Sequence, residues 1–172
     1  MHVCSGRRVF VYLEKCEIYA IFVLEKCEIN MGDISRNFSY GEFEKSDTAT
    51  RLGINNTIKD GLIKENIKAL VDDILQPLRD KWGGPLFINS GYRCLQLNKA
   101  VGGVPTSQHC LGQASDVGCS DPYALAKLAK WMRLDYDQCI LYPSFVHFSY
   151  RKDGGNRGQL LYAPSWKGRK DL

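Results

Sequence analysis

The chain predicts an α+β fold, a mainly antiparallel sheet packed with helices, and three observations predict it. Between Gly61 and Trp82 the apolar residues Leu62, Ile63, Ile67, Leu70, Val71, Ile74, Leu75 and Leu78 recur at three- and four-residue spacing, the period of a long amphipathic helix. From Leu86 onward, short β-rich runs alternate with turn residues, and the links between the last of them are short. The helical patterns come first and the strands later, with one helix inserted among them, which is the order of an α+β domain.

Taken in order, the domain is expected to begin near Ile34. Ser39 stands three residues before Glu42, a capping signature for a short helix, and a loop rich in Gly, Asn and Thr follows through Thr57. The long helix over 61–82 contains Pro77, which predicts a kink or a restart. Gly83-Gly84-Pro85 ends it, and Leu86–Asn89 reads as a strand. Residues 92–100 read as a short helix and Val101–Pro105 as a loop. A strand over Ala114–Gly118 follows, then a helix opened by Pro122 and running through Trp131 and Met132. Gln138–Tyr142 and Phe145–Ser149 read as strands separated by Pro143-Ser144, and Gly158–Tyr162 is a candidate for one more.

Residues 1–33 differ from the rest and are read as an N-terminal extension of unknown role, with 34–172 as the domain. Leu13–Ile18 recurs as Leu24–Ile29, a six-residue repeat at a period of eleven. Two copies are too few for a repeat architecture, which needs several units to bury a face. A short amphipathic helix, a hairpin and a non-catalytic appendage remain open for this segment.

At 172 residues the chain is long enough to bury a core, and its 44% hydrophobic and 24% charged residues are those of an ordinary globular protein. The net charge of +4 suits an anionic polymer such as cell-wall material and is too weak to argue for nucleic acid. Basic residues cluster late, at Arg151, Lys152, Arg157, Lys167, Arg169 and Lys170, and read as a solvated tail. Seven cysteines, an odd number with none at Cys-x-x-Cys spacing, read as reduced thiols rather than a disulfide framework. Glu14, Lys15, Glu17, Glu25 and Lys26 interrupt every early apolar run, so neither a signal core nor a membrane span is expected. Cytoplasmic synthesis and a monomer are the expectations.

The chemistry-bearing residues are sparse. Of three histidines, His2 lies in the extension, leaving His109 in Ser107–Asp116 and His147 in Phe145–Tyr150. Two imidazoles and the carboxylate of Asp116 supply three protein ligands to zinc and leave a position for water, the pattern of a catalytic site. His109 and Asp116 are seven residues apart, so they do not share a helix face; Gly112 permits a tight turn that lets a loop histidine and a strand carboxylate converge. A strand histidine also serves as a hydrogen-bonded core residue, and an aspartate also ends turns, so spacing alone leaves both readings open. Cys110, beside His109, reads as a small buried thiol.

Ser107-x-His109-x-x-Gly112-x-Ala114-x-Asp116 with a downstream histidine resembles the signature of the zinc D-alanyl-D-alanine carboxypeptidase family. That family also includes D-Ala-D-Ala dipeptidases and phage endolysins that cut L-alanyl-D-glutamate bonds. Phe43 with Ser46, Thr48, Ala49 and Arg51, then Pro77–Arg79, Ser90–Arg93, Leu97-Asn98, Val101–Gly103, Asp137-Gln138 and Val146–Ser149 resemble its small carboxypeptidase-like branch in order. The resemblance spans roughly residues 34–160. It implies a small Hedgehog/DD-peptidase-like domain with His109, Asp116 and His147 as zinc ligands. It implies Arg93 beside the metal, where a fixed guanidinium suits a developing oxyanion or a terminal carboxylate. Ser107 would contact substrate or support the ligands, and Tyr92 is a candidate to wall the cleft.

The chain departs from the family at the general base. Several members carry an acid or a histidine three residues before the last ligand, where this chain has Ser144, a poor base near neutral pH. Asp137 is the nearest acid in sequence and is taken as the candidate, with Glu42 and Glu44 as alternatives from the first helix. The expected function is zinc-dependent hydrolysis of bonds next to D-amino acids in peptidoglycan stem peptides, of carboxypeptidase type, with release through a phage or lysis route. The rivals are an L-alanyl-D-glutamate endopeptidase and a non-catalytic zinc-containing module that binds wall peptides.

Overall fold

The computed structural model describes residues 32–172; the six-residue repeat, His2, Cys4, Cys16 and Cys27 lie outside them. Strands β1 (Phe87–Ser90), β2 (Ala114–Gly118), β3 (Gln138–Leu141), β4 (Phe145–Ser149) and β5 (Gln159–Tyr162) form one sheet in the order β1-β2-β4-β3-β5. Three pairings are antiparallel and β5 runs parallel to β3, so the expected α+β class with a mainly antiparallel sheet is what the chain adopts.

The helices precede and interrupt the sheet as their local signals dictate. In α1 (Tyr40–Glu44) the backbone N–H of Ser39 donates to Glu42 at 2.8 Å, satisfying a donor that the helix start leaves open. Helix α2 (Asp47–Leu52) occupies a stretch the sequence reads as loop. Its start is marked by Ser46, whose Oγ accepts from Ala49 N–H at 3.2 Å, and its end by Gly53.

The long helix expected over 61–82 forms, and its core face is as read from Ile67 to Leu78, whereas Leu62 in the first turn is exposed. The helix runs as α3 (Gly61–Leu70), a π-helical turn over Val71–Leu75, and α4 (Gln76–Trp82). The wider turn answers Pro77. Its ring has no N–H and crowds the carbonyl one turn back, and the change of hydrogen-bond register falls just before it, with Gln76 N–H reaching Val71 O.

Helix α5 (Leu95–Ala100) starts later than expected. Cys94 caps it, accepting from Leu97 N–H through Sγ, so Tyr92 and Arg93 stay in the preceding extended segment. Helix α6 (Pro122–Trp131) is capped by Asp121, which accepts from Ala124 N–H at 3.0 Å.

One face of the sheet packs on the helices. Val117, Val146, Phe148, Cys139 and Leu141 meet Ile67, Leu70, Ile74, Leu75 and Leu78 of the α3–α4 run and Leu125, Ala126 and Ala129 of α6, all fully buried. All five residues of β2 are buried, because the segment between β1 and β2 covers its other face. The basic C-terminus is not a free tail. Lys167, Arg169 and Lys170 stay exposed, but Trp166 stacks on Tyr123 with centroids 6.4 Å apart, and Tyr123 Oη donates to Asp171 at 2.6 Å. Aromatic burial against α6 anchors the segment, a term that a count of lysines and arginines does not contain. The four cysteines among the described residues are all unpaired. No helix among the described residues is long and apolar enough to cross a membrane.

Packing along the first long helix sets a stability contrast. Leu75 is fully buried whereas Leu62 is 56% exposed. Leu75→Ala is expected to cost about 2–5 kcal/mol, and Leu62→Ala within about 0.5 kcal/mol, by urea unfolding of the two variants.

Candidate metal centre

Two strands set the first two positions. In the β2–β4 ladder Asp116 pairs directly with His147, and directly paired residues project on the same face. Their neighbours Val117 and Val146 face the helices, so Asp116 and His147 face the other way. A bulge in β1 adds a third group. Ile88 pairs with Val117 and Ser90 with Asp116, so Asn89 is an extra residue and strict alternation is broken there. Ile88 therefore joins the core while Ser90 turns onto the Asp116 face, the re-aiming for which bulges recur beside functional sites.

His109 arrives from a 3-10 turn over Gln108–Leu111 that the sequence reads as plain loop. The turn ends at Gly112, whose φ of +69° and whose approach to the α3 backbone both exclude a side chain: a Cβ there would lie 2.7 Å from Ile63 O. Beyond it, Gln113 N–H returns to Gln108 O at 2.9 Å and leads into β2. The Ser90–Arg93 segment locks His109 from two sides. His109 Nδ1 lies 2.7 Å from Gly91 O, which assigns the proton to Nδ1 and leaves Nε2 as the metal-facing nitrogen. Arg93 N–H in turn donates to His109 O at 3.2 Å.

Gly91 itself sits against α1, where a Cβ would come within 2.6 Å of Phe43 Cα and Tyr92 N–H donates to Phe43 O at 2.9 Å.

The three side chains converge. His147 Nδ1 lies 2.8 Å and His109 Nε2 3.4 Å from Asp116 Oδ1, and the imidazole centroids are 5.1 Å apart. The other carboxylate oxygen accepts from Arg93 Nη2 at 2.8 Å, and Arg93 Nε donates to Ser90 Oγ at 2.9 Å. Burial alone would raise the Asp116 carboxyl, but its contacts with His109 and His147 outweigh it and hold the group well below the usual carboxylate range. One ligand atom from each of His109, Asp116 and His147 lies within 4.8 Å of the others, so the group could hold a metal ion. The donor chemistry fits a divalent transition metal: two imidazole nitrogens, one oriented by a backbone carbonyl, and one ionised oxygen.

The remaining sequence candidates divide. Arg93 joins the group through Asp116. Ser107 precedes the 3-10 turn, and its hydroxyl has no partner among the described residues. Tyr92 packs, half-buried, against the core, and Cys110 stands outside the group with its thiol pKa raised by burial.

Asp137 is committed elsewhere. It is fully buried, its Oδ1 accepts from Arg157 Nε at 2.8 Å and its Oδ2 from Arg157 Nη2 at 2.6 Å, and Arg151 Nε lies 3.7 Å away. The Arg157 hydrogen bonds pull its pKa down to about 2, the direction opposite to that of a general base. Glu42 and Glu44 are also engaged, Glu42 at the Ser39 cap and Glu44 as acceptor for Ile58 N–H at 2.7 Å. Ser144 lines a separate cavity with Trp82, Pro85 and Phe87.

Two contributors escape sequence reading. Ser90 lies inside the Ser-Gly-Tyr-Arg segment but acquires its role only through the bulge. Asn56, 6% exposed, stitches that segment to the N-terminal loop by donating to Glu44 O and Tyr92 O and accepting from Cys94 N–H, and no local signal marks it.

A two-histidine, one-carboxylate group backed by an arginine, on the sheet face turned away from the α3–α4 run and α6, defines a class of α+β domains able to hold a metal, with hydrolytic potential. A match to the family described as Peptidase M15 covers residues 36–149 of the 172-residue chain, and the chain belongs to that family. M15 peptidases are metal-dependent, so the chain is of metallopeptidase type, and the match does not single out a branch. No curated protein matches the chain.

The Asp137–Arg157 pair carries a pH signature. Because the folded carboxyl titrates near 2 against an ordinary 3.8, its stabilisation is complete above about pH 4 and is lost as pH falls toward 2. Asp137→Asn should lose about 2–3 kcal/mol at neutral pH by denaturant unfolding and flatten the stability profile between pH 4 and 2.

Proposed function

We propose that the chain is a zinc-dependent peptidase that hydrolyses bonds next to D-amino acids in peptidoglycan stem peptides, with His109, Asp116 and His147 as the zinc ligands. The observation that carries this reading is the convergence of two imidazole nitrogens and a carboxylate oxygen beside Arg93 in a chain of the M15 family. Zinc on such a donor set supplies Lewis-acid polarisation of the scissile carbonyl and activation of the attacking water.

The chain's own residues do the rest. Gly91 O orients the His109 ring, and Asp116 spans both histidines and Arg93. Ser90 steadies the guanidinium at Nε, and Nη1 keeps no hydrogen bond to the described protein, which suits a substrate oxyanion or a terminal carboxylate. Ser107, with its unpartnered hydroxyl, and Tyr92 serve as substrate contacts. Asp137 anchors Arg157 in this reading and takes no part in proton transfer.

That assignment favours a second reading, a zinc-containing module that binds wall peptides without cutting them. Among the described residues Asp116 is the one carboxylate in the metal group, and an ion-paired aspartate cannot replace a free base.

The purified chain is expected to bind one zinc, to cleave synthetic peptides ending in D-Ala-D-Ala or containing an L-alanyl-D-glutamate bond, to lose turnover on chelation and to regain it on adding zinc. His147→Ala should lose metal and turnover together. One bound zinc with no cleavage of either peptide series supports the binding module and ends the peptidase reading. Arg93→Lys should retain metal, measured by elemental analysis, while kcat falls about 100-fold or more.

A further inference from the structure

Beside Arg93 a cavity of about 750 Å³ opens between the start of α2, α5 and β1. Three features define what fits it. First, β1 ends the sheet, and beyond its pairing with β2 the backbone of Phe87–Ser90 hydrogen-bonds to no other described residue. Such an edge offers unpaired N–H and C=O groups that an extended chain can complete.

Second, the strand runs into the metal centre. Ser90, at its end, accepts from Arg93 Nε, and Arg93 reaches Asp116, so a peptide lying along β1 is delivered to the ligand group. Third, the walls carry opposite charges over an apolar floor. Lys45 and Asp47 line the cavity with Ile88, Leu97 and Val101; both charged residues are exposed, and neither side chain has a partner among the described residues. An unpaired cation and an unpaired anion on one groove complement a peptide carrying both signs, as a stem peptide with a diamino acid and a free carboxylate does.

We propose that this cavity is a peptide groove in which the bound chain adds as a strand to the open edge of β1, Asp47 taking its side-chain ammonium and Lys45 its carboxylate. The proposal deepens the peptidase reading and rests on it for the kind of peptide.

The test is calorimetric titration of the full chain with the dipeptide γ-D-Glu-L-Lys, which contains neither of the two bonds tested for cleavage, and with the same dipeptide acetylated on its lysine ammonium. The free ammonium form is expected to bind about fivefold more tightly. Asp47→Asn should erase that difference, Lys45→Gln should weaken both forms alike, and outward amides of β1 should gain exchange protection on binding. Equal affinities for the two peptides, a preference that survives Asp47→Asn, unprotected β1 amides or no binding at all would each overturn the proposal. Because the titration reads binding, zinc bound without hydrolysis ends the peptidase reading and leaves the groove to be decided by these affinities. Hydrolysis with an ammonium preference intact in Asp47→Asn ends the groove alone.

Discussion

The centre of this protein depends on one buried carboxylate having all its partners. Asp116 is 9% exposed, and an ionised oxygen taken out of water costs several kcal/mol unless charge and hydrogen bonds replace the solvent. Its two oxygens meet that requirement with three groups from three segments: His109 from the 3-10 turn, His147 from β4 and Arg93 from the link after β1. No two of these groups are neighbours in sequence, so satisfying one carboxylate pins three connections of the domain at once. The same convergence that relieves the buried charge also sets donor atoms at metal-binding separation.

Backbone devices make that convergence attainable. The Asn89 bulge turns Ser90 onto the Asp116 face. Gly91 and Gly112 let their turns approach α1 and α3 more closely than a side chain would allow. The exchange between Gly91 O and His109 Nδ1, and between Arg93 N–H and His109 O, ties the two loops to each other before any metal is considered. Rigid support of this kind lowers the ordering cost of binding a cation or a substrate. The open edge of β1 and the cavity beside Arg93 lie on the same segment, so the proposed peptide groove and the metal-ligating group share one support.

Legibility differed by element for physical reasons. Ala114–Gly118, Phe145–Ser149 and the helix from Gly61 to Trp82 carry strong patterns, and they form where the patterns lie. Helix α2 was hidden because a Ser cap and a Gly stop around six residues resemble a loop when no apolar stripe accompanies them. The π-helical turn at Val71–Leu75 answers a proline, and whether a chain kinks or widens there is settled by what packs on both sides. Of the site, His109, Asp116, His147 and Arg93 were legible as residue types in an ordered motif. The pairing of Asp137 was not legible, because nearness to His147 in sequence says nothing about Arg157, twenty residues further on, which claims both its oxygens.

By itself, then, the sequence determined the α+β class, the long helix, the strands that bear Asp116 and His147, and the family, because these rest on periodicity, turn chemistry and motif order. Only the tertiary structure decided that Arg157 claims Asp137 while Arg93 joins the two histidines on Asp116, how a bulge brings Ser90 to Arg93, and that the basic C-terminus is held by stacked aromatics. Those outcomes depend on which groups share a buried volume, and burial is a property of the folded ensemble of segments rather than of any one of them.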